Sequence, residues 1–172
     1  MSKRSHLAFL TGLLVLAGCS TAPAPGPKTT DLIELNQKAT DALLQDAALS
    51  TDKPLLVAAF VDMDQLSESS RLGRLFSEQV TGRLAQRGYR VVELKLRDKL
   101  FMKKGQGAMM LSTELSELSQ SQQAQAVVVG SYTHSGETLY LSVKLVGAQG
   151  NIILAAYDYS LPMDSNVRGL LR

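Results

Sequence analysis

Few side chains in this sequence have types and spacings that could do chemistry. Cys19 is the only cysteine, and it follows the small pair Ala17-Gly18 at the end of an apolar run, Leu7 to Ala17. A thiol there is a nucleophile open to acylation, and it has no second cysteine to pair with. Asp62 and Asp64 alternate after another apolar run, a spacing that can hold a hard cation. No third ligand or loop glycine follows in the EF-hand pattern, so solvated loop acids that cap the next helix fit better. Ser67, Ser69, Ser70 and Gly73 lie where a strand would enter a helix, a usual place to bind phosphate. No P-loop or dinucleotide fingerprint accompanies them. The plainer reading is capping serines and a glycine that lets the helix approach the sheet. A Ser131-His134-Asp158 set can be drawn on paper, but no strand-to-helix nucleophile elbow is present. With two histidines and one cysteine in all, a zinc site lacks ligands. The expectation is a protein that is not an enzyme and carries no metal.

Lys3 and Arg4 precede the apolar run, so the first residues have the order of a secretory signal. The stretch Leu16-Ala17-Gly18-Cys19 resembles the lipobox of bacterial lipoproteins. That resemblance implies a signal peptide over residues 1–18, cleavage before Cys19, and covalent diacylglycerol and N-acyl lipid on Cys19, with no other cofactor. The run is short for a span, which takes about 20 residues. Two or more acyl chains hold a protein at a bilayer stably, at about 0.8 kcal/mol per buried methylene. By analogy with the sorting of enterobacterial lipoproteins, where an Asp after the cysteine favours inner-membrane retention, the resemblance with Ser20 at that place implies the outer membrane of a Gram-negative bacterium, with the domain in the periplasm or at the cell surface.

These anchoring residues need a body to deliver. Residues 19–30 comprise the lipidated cysteine and a Pro-, Ala- and Thr-rich tether, and residues 31–172 read as a single globular domain. The chain has 18 Lys and Arg against 16 Asp and Glu. Lys3 and Arg4 are two of the 18, so the mature chain is charge-balanced and gives no reason to expect nucleic acid as a partner.

Periodicity places the elements. A helix is expected over 31–49, capped by Asp31, with Leu32, Leu35, Ala39 and Leu43 on its apolar stripe. Leu55 to Val61 is a nearly unbroken apolar run that suits a strand buried on both faces. A second helix spans about 70–87 and stops at Gly88. Tyr89 to Leu96 alternates as a strand. Ser112 opens a third helix carrying Leu115 and Leu118. Gln125 to Tyr132 reads as a central strand, Ser135-Gly136 as a hairpin turn, and 138–146 and 152–161 as two more strands. The resulting fold class is α/β, with α+β character. It is a five-stranded mixed sheet in the order α-β-α-β-α-β-β-β, with helices mainly on one face. The other face would carry Glu93, Lys95, Tyr140, Ser142, Lys144 and Asp158.

Several runs together carry a resemblance to a known family. They are LLVAAFVDMDQL, SSRLGRLFSEQVTGRLAQRGYRVVELKLR, MMLSTELSEL and AQAVVVGSYTHSGETLYLSVKLV, spanning about Lys53 to Pro162. The most telling pieces are Arg71-Leu72-Gly73-Arg74, Gln86-Arg87-Gly88-Tyr89, Leu111-Ser112 and Val129-Gly130-Ser131-Tyr132. They look like the FlgO family, outer-membrane proteins associated with the polar flagellum. The resemblance implies a non-enzymatic structural or adaptor lipoprotein linked to flagellar assembly, stability or motility. Its partners would be outer-membrane lipid through the acyl chains and envelope or flagellar proteins, with a homo-oligomer left open. Related mixed folds occur in the TolB amino-terminal domain, curli-secretion lipoproteins and lipoprotein activators of peptidoglycan synthases. The alternative is therefore a regulator of an envelope process. For partner binding, the basic stretch Arg97, Lys99, Lys103 and Lys104 around Phe101 is the first choice, as a docking loop for an acidic partner, anionic lipid or cell-wall polymer. The competing reading is a solvated connection whose Phe101 and Met102 tuck into the core.

Overall fold

Alternation along the last third of the chain sets the frame on which everything else is laid. The computed structural model describes residues 29–45, 47–65, 69–93, 117, 119–150 and 152–172. In chain order its elements are α1 (Leu32–Gln45), β1 (Leu55–Val57), β2 (Val61–Asp62), α2 (Arg71–Gln86), β3 (Val91–Glu93), β4 (Ala126–Ser135), β5 (Thr138–Gly147), β6 (Ile153–Pro162) and α3 (Ser165–Leu170). The sheet runs β3-β1-β4-β5-β6, and β2 shares the position beside β4. β1 is parallel to β3 and β4, while β4, β5 and β6 form an antiparallel meander. This is the expected mixed α/β sheet.

On β5, Leu139, Leu141, Val143 and Leu145 are buried, and Tyr140 and Lys144 are exposed. That period of two directs one face of the sheet to the helices. Leu43 of α1 and Leu72, Phe76, Val80 and Leu84 of α2 meet this face in one core, so both long helices cover the same side. Asp31 caps α1 by accepting from the N–H groups of Ile33 and Glu34, both at 3.0 Å. Ser70 caps α2 by accepting from Gly73 N–H at 3.1 Å. At the other end of α2, Gly88 (φ 86°) takes the left-handed conformation. Tyr89 N–H reaches Leu84 C=O and Gly88 N–H reaches Ala85 C=O, which completes a Schellman stop.

The structure departs from the expected elements in four places. First, α1 ends at Gln45, short of residue 49. Second, the run Leu55 to Val61 is two short strands, not one. Val57 pairs with Val128 and Val61 with Ser131, so four steps on one strand face three on the other. The extra residue makes a bulge in this region, where Phe60 turns its ring onto Gly130. A Cβ on Gly130 would lie 2.4 Å from that ring. Third, a C-terminal helix, α3, follows β6, capped by Asp164 and anchored by buried Val167. The tail of 10 residues after Pro162 is too short to show a helical stripe, so periodicity missed it. Fourth, the sheet face away from the helices is not polar throughout. Leu56, Val127 and Ala124 form a small buried apolar cluster there, with Val92 and Val129 packed on it. The expected third helix falls largely outside the described residues, although residues 117 and 119–121 are helical.

Candidate partner-binding face

The polar half of the outer face is built by register. β4, β5 and β6 set Thr133, Tyr140 and Ser160 in one row and Ser131, Ser142 and Asp158 in the next. All share the parity opposite to the core-facing residues, so they lie on one face. Met63, which follows β2, overhangs them and is 53% exposed; Tyr140 is 50% exposed. Met63, Tyr140, Ser142, Asp158 and Ser160 line a shallow groove of about 460 Å³. Asp64 accepts a hydrogen bond from Thr133 Oγ1 at 3.3 Å, which seats the loop after β2 on this face. The groove offers hydroxyls, a carboxylate, an aromatic ring and a thioether side by side. Of these, the exposed tyrosine and methionine are residue types enriched at protein interfaces.

Tyr140, Ser142, Lys144 and Asp158 thus share the face on which the sequence placed them. Lys95 and the side chain of Glu93 lie outside the described residues. So do Cys19 and the whole basic stretch Arg97, Lys99, Phe101, Lys103 and Lys104.

The other candidates resolve into structural roles. Ser131 and His134 differ by an odd number of residues on one strand, so they point to opposite faces, and no Ser-His-Asp relay forms. Among the described residues no group of three His, Cys, Asp or Glu is placed to hold a metal. Asp62 Oδ1 accepts from Asp64 N–H at 2.8 Å, a local turn. Ser69 donates its hydroxyl to Phe60 C=O at 2.8 Å. The Tyr132 hydroxyl donates to Ser70 Oγ at 2.8 Å and accepts from Ser70 N–H at 3.0 Å. These serines are spoken for within the strand-to-helix junction. Gly73 is there for close approach: a Cβ would stand 2.3 Å from Phe60 O. Ser67 lies outside the described residues.

Two polar clusters escaped the sequence reading. Asp41 on α1 accepts from Arg83 Nε (2.9 Å) and from Arg87 Nε and Nη2 (2.8 and 2.7 Å). Hydrogen bonds from Arg87, then Arg83, hold its carboxyl well below the usual carboxylate range. On the buried side, Asn36 donates to Gln79 and accepts from the Tyr159 hydroxyl, which ties α1 to α2 and β6. Burial, and then the neighbouring Tyr157, push the Tyr159 phenol well above its ordinary value. Periodicity gives Asn36 and Asp41 as helix positions but says nothing of their partners.

The entry to the domain is also fixed. Thr30 N–H donates to Asp164 Oδ2 at 2.8 Å, so the chain enters beside the cap of α3. Burial raises the Asp164 carboxyl, but the N–H groups of Thr30 and Val167 outweigh it and the net shift is downward. Arg71 donates to the carbonyls of Gly169 and Arg172 at 2.8 and 3.1 Å, and Arg168 pairs with Glu137 at the β4–β5 turn. No helix of the described residues is long and apolar enough to cross a membrane.

Fold and face together define a class: a mixed-sheet domain with helices on one side and, among the described residues, a partly polar surface uncovered on the other. The family model described as FlgO protein matches residues 37–166, and the chain belongs to the FlgO family. No curated protein matches the sequence. Among solved structures, the chain is similar to the LpoB C-terminal domain from Escherichia coli, with a TM-score of 0.56 at 14% identity, over 77% of this chain and 98% of that one. It is also similar to the LpoB C-terminal domain from Salmonella enterica, with a TM-score of 0.55 at 16% identity, over 73% and 93%. At such identities the likeness is one of fold. Family and fold together support a lipoprotein of the cell envelope.

Proposed function

We propose that this chain is a non-enzymatic outer-membrane lipoprotein, an adaptor that serves flagellar assembly or stability. Lipid on Cys19 holds it at the membrane, residues 20–30 are the tether, and the domain binds protein. The observation that carries this reading is the family match over residues 37–166. The geometry agrees with it. The family-like segments Arg71–Arg74, Gln86–Tyr89 and Val129–Tyr132 supply the residues that build and brace the junction and the helix stop. What remains for function is surface, and the open groove around Tyr140 is surface of the right chemistry. The mechanism is placement: anchoring replaces a search in three dimensions by one near the membrane, which raises the effective concentration of domain and partner.

The test has two arms. Cells fed labelled palmitate should label the native protein and not the Cys19→Ser variant. A deletion strain should swim poorly or lose flagella, and be restored by the native gene. Unlabelled, freely soluble native protein would overturn the anchor. Normal motility with impaired cell-wall synthesis would overturn the flagellar role in favour of regulation of an envelope enzyme.

A further inference from the structure

β6 is the last strand of the sheet, and among the described residues no strand pairs with its outer edge; a bulge at Leu154, where Leu145 pairs with Ala155 and Val146 with Ile153, interrupts only its start. Its ten residues, Ile153–Pro162, hold one charge, Asp158, and one proline, at the last position. Ile153 and Leu154 at its start are 55% and 42% exposed. From Ala155 on the strand is regular, and soluble proteins normally blunt so long a regular edge with lysines, prolines or a covering element.

The direction of the edge groups follows from the hydrogen bond at the end of the strand, and the one at its start fits once the bulge at Leu154 has shifted the parity by one residue. Met163 N–H donates to Glu137 C=O at 2.9 Å, and Gly147 N–H donates to Ile152 C=O at 2.8 Å. Backbone groups alternate in direction along an antiparallel strand. Residues 155, 157, 159 and 161 therefore turn their N–H and C=O toward β5. Ala156, Asp158 and Ser160 turn theirs outward. Pro162 has the outward parity too, so its missing N–H costs the internal ladder nothing.

We propose that this edge pairs, antiparallel, with the same edge of a second copy of the chain, about a two-fold axis at Tyr157. The strand is self-complementary in that register. Ala156 of each copy lies opposite Asp158 of the other, and each such pair exchanges two backbone hydrogen bonds. Tyr157 faces Tyr157 of the second copy in the closer, non-bonded pair, where an aromatic pair is favourable. Ala155 faces Tyr159 of the second copy, small against large. Pro162 falls opposite Ile152, whose carbonyl is already used within its own chain. Moving the axis by one residue one way sets Asp158 against Asp158, a like-charge pair. Moving it the other way sets Ser160 against the inward-turned Ile152 and loses a pair of bonds. The proposal rests on the strand alone and not on the flagellar reading.

Ala156 is exposed, so its variants keep the fold. In the full chain carrying Cys19→Ser, in mild detergent, sedimentation equilibrium should show a monomer–dimer equilibrium. Ala156→Lys sets a cation against Asp158 twice and should tighten the dimer, on the order of tenfold. Ala156→Asp should weaken it by a similar factor. Tyr157→Cys should give a disulfide-linked dimer on mild oxidation, because facing cysteines in a non-bonded pair fall within disulfide range. Lys144→Cys on β5 should not. A monomer in every variant up to about 100 µM, on the order of a weak complex, would overturn the proposal. So would Ala156→Lys and Ala156→Asp shifting the equilibrium the same way, or assemblies larger than two.

Discussion

The two faces of one sheet obey different rules in this protein. On the helix side, neighbours leave no room: Gly73 and Gly130 are places where backbone or ring from another element occupies the site of a Cβ. On the outer side of β5 and β6, Tyr140, Lys144 and Asp158 look into solvent and few contacts depend on them. The same strands carry both faces, so composition does not separate them; parity does. The closed face spends its residues on stability, and the open face is free to be selected for binding.

The sharpest way to break this contrast is to fill the closed face. Gly130→Val should drive side-chain atoms into the Phe60 ring and cost about 3 kcal/mol or more, measured by urea unfolding. If the variant keeps native stability, the tight packing of Phe60 on Gly130 is wrong. Next in size is Tyr132→Phe. Removing the hydroxyl leaves Ser70 N–H without its partner and should cost about 1 to 2 kcal/mol.

Asp41 sharpens the comparison at the rim of the helix layer. Asp41→Asn should cost about 1 kcal/mol at neutral pH, since the cluster is only partly shielded from water. The Asp41 carboxyl is depressed in the folded state. Its contribution is therefore present above about pH 4, the unfolded carboxylate value, and declines as pH falls toward the folded one. Unfolding curves at pH 7 and about pH 2.5 should show the gap between native and variant narrowing in acid. A constant gap would remove the charge from the explanation. The smallest effect on stability belongs to the open face. Met63→Ser with Tyr140→Ser should leave unfolding within about 0.5 kcal/mol of native. The same variant should fail to restore swimming to a deletion strain. Full restoration would move the partner surface elsewhere.

The candidate face was legible in part. Tyr140, Ser142, Lys144 and Asp158 were placed together from alternation, because a period of two survives any packing. Met63 was not, since nothing local says that the loop after β2 folds over β5. The apolar end of the same face was legible in part: the unbroken run from Leu55 gave a strand buried on both faces, and Leu56 is buried there, but nothing local says that Ala124 and Val127 are what it meets. The basic stretch Arg97 to Lys104 and Cys19 lie outside the described residues, and their roles are the business of the labelling and partner experiments.

By itself the sequence determined what depends on near neighbours. Helix caps at Asp31 and Ser70, the stop at Gly88, the turn at Gly136 and the faces of β5 and β6 are short-range events, set by hydrogen bonds and sterics within a few residues. Tertiary structure alone decided which distant groups meet. The bulge that seats Phe60 on Gly130, the grip of Arg83 and Arg87 on Asp41, the buried Asn36 bridge and the open edge of β6 all require elements far apart in the chain to be brought together. Periodicity records which way a residue points, and only the assembled sheet supplies what it points at.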